Sequence, residues 1–255
     1  MKLTAQDLAA GYHDRAVFEG LDLELPDGAF TVIVGPNACG KSTLLRTLAR
    51  LLPARQGTVL LDGSDITSLP TREVARRLGV LPQSPLVPEG VTVSDLVGRG
   101  RQPHQRWWQQ WSPEDTVAVA SAMEQAGVAS LADRPVDQLS GGQRQRVWIA
   151  MALAQRTGTL LLDEPTTFLD LAHQVEVLNL LRGMRDGGST VVAVLHDLNQ
   201  AARYADHLVA MRDGTVVAAG PPREVVTVDL VRDVFGLDSV VVPCPVSSAP
   251  LVLHI

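Results

Sequence analysis

The sequence predicts an α/β fold: a largely parallel sheet with a helical lobe inserted into it. Short β-branched runs recur along the chain, each followed by helix-like apolar spacing. Two of these runs end on acidic or histidine residues, which places polar chemistry at strand C-termini. From about Pro85 to Arg156 the strand signal vanishes and helical patterns dominate.

Phe30–Val34 (FTVIV) reads as a buried strand, followed by a glycine-bearing turn and a helix over Ser42–Leu52. Thr58–Leu61 and Gly79–Leu81 read as further short strands. The inserted lobe carries helical patterns over Ser112–Ala126, with Pro113 in the first turn, and over Gly141–Gln155. Thr159–Leu162 (TLLL) and Thr190–Leu195 (TVVAVL) are strands flanking a helix at Val175–Arg185. The tail ends in proline-punctuated extended segments over Val240–Leu253.

At 255 residues the chain is long enough to bury a sizeable core, and 45% hydrophobic with 20% charged residues argues against global disorder. A net charge of −6 gives no support to duplex nucleic-acid binding, so no nucleic-acid partner is expected. The 2 cysteines, Cys39 and Cys244, are too few for a disulfide framework. The histidines show no metal-ligand spacing, and no structural metal is expected. No signal peptide and no apolar run of spanning length is visible, so work at a membrane would need another anchor.

Gly35-Pro36-Asn37-Ala38-Cys39-Gly40-Lys41-Ser42-Thr43 fits G-x-x-x-x-G-K-[ST] between a strand and a helix. Glycines let successive N–H groups turn inward onto phosphate oxygens, and the helix start adds its own unpaired N–H groups. Lys41 brings a compact charge to the β- and γ-phosphates, and Ser42 offers a hydroxyl to Mg²⁺. Lys2 and Lys41 are the only lysines among 22 basic residues, so a chain that otherwise uses arginine keeps lysine here. A planar guanidinium is too wide for a closed ring of amides. The thiol of Cys39 in that ring predicts a depressed pKa, with alkylation blocking activity and Mg-ATP protecting. The other reading is an inert buried thiol.

Leu160–Pro165 (LLLDEP) is a strand ending in paired acids. Asp163 is placed to hold Mg²⁺, and Glu164 to orient or deprotonate an attacking water. His196 ends the next strand along the same edge.

Leu139-Ser140-Gly141-Gly142-Gln143 resembles the signature motif of ABC ATPases, and with the preceding motifs the resemblance covers essentially the whole chain. It implies an α/β P-loop NTPase (RecA-like) core of ABC ATPase type, with a small N-terminal antiparallel β portion and an inserted helical subdomain. The core lobe is expected at about 1–84 and 157–255, the helical subdomain at about 85–156. Ser140, Gly141, Gly142 and Gln143 would form a second phosphate-binding helix start. In the family it faces the phosphate loop of a second subunit, so ATP is sandwiched in a dimer. Tyr12 resembles the residue that stacks on adenine, although a packing tyrosine is the other reading. Gln83 resembles the glutamine that touches Mg²⁺ or its water, Asp170 the aspartate that contacts the partner, and His196 the γ-phosphate switch. Ala38 stands where many relatives have glycine, and Thr167 where serine is commoner.

Thr166–Gln174, Leu195–Ala202, Gly100–Pro113 and Val242–Pro250 look like one branch: ATP-binding subunits of importers for ferric siderophores, haem and cobalamin. The branch implies an ATPase at the cytoplasmic face of the cell membrane, peripheral and bound to permease subunits. A solute-binding protein would be an indirect partner. The branch implies uptake of an iron complex, a ferric siderophore first; a cobalamin or haem importer ATPase is one alternative and a non-transport ABC ATPase the other, but the latter commonly carries two cassettes or a coiled-coil insert, and neither is visible here. A GTPase is excluded because N-K-x-D needs a lysine beyond position 41. Trp107, Trp108 and Trp111 either pack inside the helical lobe or border a groove for a permease helix.

Overall fold

The computed structural model describes residues 2–13, 15–83, 90–105 and 111–255. Trp107 and Trp108 lie outside the described residues. The chain opens with antiparallel strands β1 (Leu3–Tyr12) and β2 (Arg15–Leu25). Strand β3 (Phe30–Val34) then leads through the phosphate loop into helix α1 (Lys41–Leu48). Strands β4 (Gln56–Leu61) and β5 (Ser64–Asp65) return to the first sheet, whose order is β2-β1-β4-β5. Helix α2 (Thr71–Arg77) precedes β6 (Leu78–Leu81).

The next regular elements are helical: α3 (Val93–Gly98), α4 (Pro113–Gln125) and α5 (Gly141–Ala154), with short 3₁₀ turns between them. Capping boxes start all three, at Thr92, Ser112 and Ser140. Strand β7 (Thr159–Asp163), helix α6 (Leu171–Asp186), strand β8 (Thr190–Val194) and helix α7 (Leu198–Tyr204) follow. Strands β9 (His207–Arg212) and β10 (Thr215–Gly220) form a hairpin at the sheet edge. Two short helical turns, Pro222–Val225 and Val228–Leu230, lead to a terminal hairpin of β11 (Ser239–Pro243) and β12 (Pro250–His254).

The main sheet runs β10-β9-β3-β8-β7-β6, parallel from β9 to β6 with only β10 antiparallel. Its inner strands are buried on both faces, which is why they read as unbroken apolar runs. Alternate residues divide between two cores. Phe30, Val32, Leu160, Leu162, Val191 and Ala193 face the core shared with the helical insertion, α6 and α7. Ile33, Leu161, Val192 and Val194 face α1 and the antiparallel sheet.

Helix α1 starts one residue earlier than its spacing predicts and stops at Leu48. Helix α6 begins at Leu171, four residues earlier than predicted, because the Asp170 side chain accepts the His173 backbone N–H at 2.9 Å and caps it. No described helix is long and apolar enough to cross a membrane.

Candidate functional site

The phosphate loop leaves β3 at Gly35, where only glycine fits: a Cβ there would lie 2.2 Å from the Met211 carbonyl oxygen and 2.8 Å from Cys39 Sγ. Ala38 holds a left-handed φ of 62°, so the alanine fits without clash but under backbone strain. Lys41 is buried, and its Nζ donates to the carbonyls of Gly35 at 2.8 Å and Pro36 at 2.7 Å. The loop's own oxygens thus solvate the ammonium at the place where phosphate would sit.

The Cys39 thiol overturns the expectation of a depressed pKa. Burial pushes it up, and the nearby Lys41 charge opposes that only in part. The side chain is 3% exposed, packed beneath the loop rather than turned into it.

Ser42 Oγ donates to Asp163 Oδ1 at 2.7 Å, joining the helix start to the end of β7. Asp163 is fully buried, and its Oδ2 has no hydrogen-bond partner. Arg46 stands 3.8 Å from that oxygen, within ion-pair range but not hydrogen-bonded. Burial raises Asp163 above the ordinary aspartate range, with Ser42 and Arg46 opposing. A hydroxyl beside an orphaned buried carboxylate oxygen is a hard-oxygen donor set that fits Mg²⁺.

Glu164 follows at a left-handed φ of 54°, a strained conformation for a non-glycine residue. Its carboxylate collects three partners. His196 Nε2 lies 2.7 Å from Oε1, while Gln83 Nε2 at 2.6 Å and Thr167 Oγ1 at 3.1 Å both donate to Oε2. Burial pulls the carboxyl up, but these contacts outweigh it and hold Glu164 below the ordinary glutamate range. Gln83, expected at the metal, is thus turned to the carboxylate.

Tyr12, Val17, Asn37, Ala38 and Gly40–Thr43 line one open cleft of about 280 Å³ with Glu164. Tyr12 is half-exposed, and its hydroxyl accepts a hydrogen bond from Arg46 at 3.2 Å. Ser140–Gln143 do not line this cleft. Ser140 Oγ accepts the Gln143 backbone N–H and Gln143 Oε1 accepts the Ser140 N–H, both at 3.2 Å, so this helix start is capped by its own side chains. Asp170 likewise serves as an exposed helix cap on its own chain.

Sequence reasoning missed Arg46 and the role of Thr167. Arg46 lies one helical turn beyond Ser42, so the i, i+4 rule would have put it on the face beside the loop. Gln145 was also missed: from α5 it donates to the Pro165 carbonyl at 3.1 Å, tying the insertion to the residue after Glu164. Trp111 is half-exposed and donates its indole N–H to Thr116 Oγ1 at 2.8 Å.

Residues 18–167 match the family model described as ABC transporter. The ferric enterobactin transport ATP-binding protein of Escherichia coli (strain K12) is 52% identical over 99% of this chain and 93% of its own length. The achromobactin transport ATP-binding protein of Dickeya dadantii (strain 3937) is 54% identical over 98% of this chain and 93% of its own. A bacterial ABC transporter cassette solved as a dimer superposes with a TM-score of 0.77 at 27% identity, covering 86% of this chain and 98% of that one. With the phosphate loop, the paired acids and the α5 helix start in one chain, these matches establish that the protein belongs to the ABC transporter family, as an ATP-binding cassette.

Proposed function

We propose that this chain hydrolyses ATP, at the cytoplasmic face of the membrane, to drive permease subunits that import a ferric siderophore. The observation that carries the chemistry is the Glu164 carboxylate, held by Gln83, Thr167 and His196 beside the Ser42–Asp163 pair. Both relatives named above are siderophore transport ATP-binding proteins, and their likeness supports the cargo class.

ATP enters against Tyr12 and the loop 35–43. Lys41 exchanges two carbonyl acceptors for phosphate oxygens, a gain because the new acceptors are charged. Ser42 and Asp163 would hold Mg²⁺, which when bound screens the phosphate charge. Three donors fill three of the roughly four lone-pair sites of the Glu164 carboxylate, which leaves one for a proton from water. His196 is the partner that can turn to the nucleotide, because its ring is half-exposed and the arriving γ-phosphate offers it an anionic acceptor. Ser140–Gln143 of a second copy completes the site from the far side, and Asp170 meets that copy. Helices α3, α4 and α5 move as the helical lobe and pass closure to the permease.

Glu164→Gln keeps the shape and loses the base. Turnover falls by about 10²–10⁴-fold while ATP binding persists and a closed dimer accumulates. Near-normal turnover in that variant overturns the catalytic reading. Loss of radiolabelled ferric siderophore uptake in a strain lacking the gene, restored by the wild type and not by Glu164→Gln, tests the cargo.

A further inference from the structure

Two glutamines connect the segment that carries His196 to the segment that carries Asp170. Gln200, in the first turn of α7, donates its side-chain N–H to Gln174 Oε1 at 2.7 Å. Gln174, in the first turns of α6, donates its own to the Leu169 carbonyl at 3.0 Å. The direction of this relay is fixed, because a backbone carbonyl only accepts. Gln174 therefore turns its nitrogen to Leu169 and its oxygen to Gln200, and Gln200 must present its nitrogen.

Each end of the relay is anchored close to the chemistry. The Gln200 backbone N–H donates to Asp197 Oδ1 at 2.9 Å, and Asp197 directly follows His196. On the other side of the same turn, Asn199 pairs with both backbone groups of Val252, at 3.2 and 2.7 Å, so the terminal hairpin holds α7 from outside. Leu169 is buried between exposed Phe168 and Asp170, so its carbonyl reports the position of that loop. Phe168 has a left-handed φ of 66°, a conformation held only by its surroundings. Both glutamines are half-buried, and ordering two such long side chains against one another costs rotamer entropy that their hydrogen bonds must offset. Neutral amides also suit this place. An ion pair would change strength as the phosphate charge beside it came and went, whereas an amide pair keeps its geometry.

We propose that Gln174 and Gln200 are positioning residues for His196: they make the His196 and Asp170 loops move as one body. This rests on the roles given to His196 and Asp170 above. In the dimer His196 would attend the nucleotide on its own chain while Asp170 meets the second copy, so the relay links the two nucleotide sites.

The test is steady-state ATPase of the full chain against ATP concentration, with nucleotide-analogue binding and thermal melting in parallel. Gln174→Met and Gln200→Met keep length and helix propensity and remove the relay's amide donors and acceptor without adding charge. Each is expected to lower kcat about fivefold to tenfold, the size of a typical coupling loss, with analogue affinity within about twofold. The Hill coefficient moves toward 1. The double variant is no worse than either single, because both break one relay. Wild-type kcat and Hill coefficient in both singles overturn the proposal. So do losses that multiply in the double variant, or losses that follow melting temperature or analogue affinity. His196→Ala run alongside separates the two readings. If it retains turnover, the switch assignment fails; if it abolishes turnover while the glutamine variants act as wild type, only the relay fails.

Discussion

His196 Nε2 lies 2.7 Å from Glu164 Oε1, while Gln83 and Thr167 fill the other carboxylate oxygen. In the proposed mechanism the group that takes a proton from water therefore carries donors on both oxygens. Those same contacts that keep it ionised also keep it engaged. In that mechanism, His196 turning to the γ-phosphate opens the Oε1 side of Glu164 to water.

Asp163 is a stability burden in the nucleotide-free chain. Its folded-state pKa is raised by burial, so the folded chain holds that proton more tightly than the unfolded chain. The resulting stability is present below the ordinary aspartate value and lost as pH rises through the folded one. At neutral pH Asp163→Asn should raise the melting temperature of the nucleotide-free protein by about 2–4 °C, the shift expected of about 1 kcal/mol in a chain of this size. ATPase activity should vanish in the same variant. A lower melting temperature would contradict the burial argument.

Ala38→Gly should relax the phosphate loop. A left-handed residue other than glycine costs about 1–2 kcal/mol, and glycine gives back about 0.5–1 kcal/mol through its unfolded freedom. The net gain is up to about 1.5 kcal/mol, read as a higher urea midpoint at unchanged slope. A lower midpoint would mean that the alanine methyl packs usefully.

The two thiols should separate cleanly. Cys244 is partly exposed, and hydrogen bonding from Ser247 lowers its pKa to about 7, so much of it is thiolate at neutral pH. Cys39 is buried with a raised pKa. A stoichiometric thiol reagent should modify Cys244 first and leave ATPase activity intact, with Cys39 reacting only on unfolding. Activity lost in step with the first thiol would reverse that order.

Lys41→Ala removes a charge-assisted contact of about 1.5–3 kcal/mol, so nucleotide affinity should fall about tenfold to a hundredfold in a fluorescence titration. Lys41→Arg should not restore it, because the guanidinium fork does not fit between the Gly35 and Pro36 carbonyls. Full recovery in the arginine variant would show the loop to be wider than its geometry implies.

Inner strands were legible because burial on both faces leaves an unbroken apolar signal, as in Phe30–Val34 and Thr190–Val194. Strand β2 was not delimited from its residues, because its alternation of buried Leu21, Leu23 and Leu25 with exposed Asp22 and Glu24 is broken at Glu19–Gly20, where the pairing with β1 shifts register. The phosphate loop was legible because its chemistry is contiguous in the chain. The partners of Glu164 come from positions 83, 167 and 196, and only the folded sheet brings Gln83 and His196 to it. The Cys39 expectation failed for a related reason: the motif gives the ring of amides, but the packing of Met211 and Gly35 against it decides which way the thiol turns.

The two carbonyls that hold Lys41 act as a placeholder for the anion. The nest is shaped during folding, around an internal cation, rather than by its visitor. Nucleotide binding then has to release Lys41 from those carbonyls, and the loop amides that await phosphate should exchange readily in the nucleotide-free protein and be protected when nucleotide is bound.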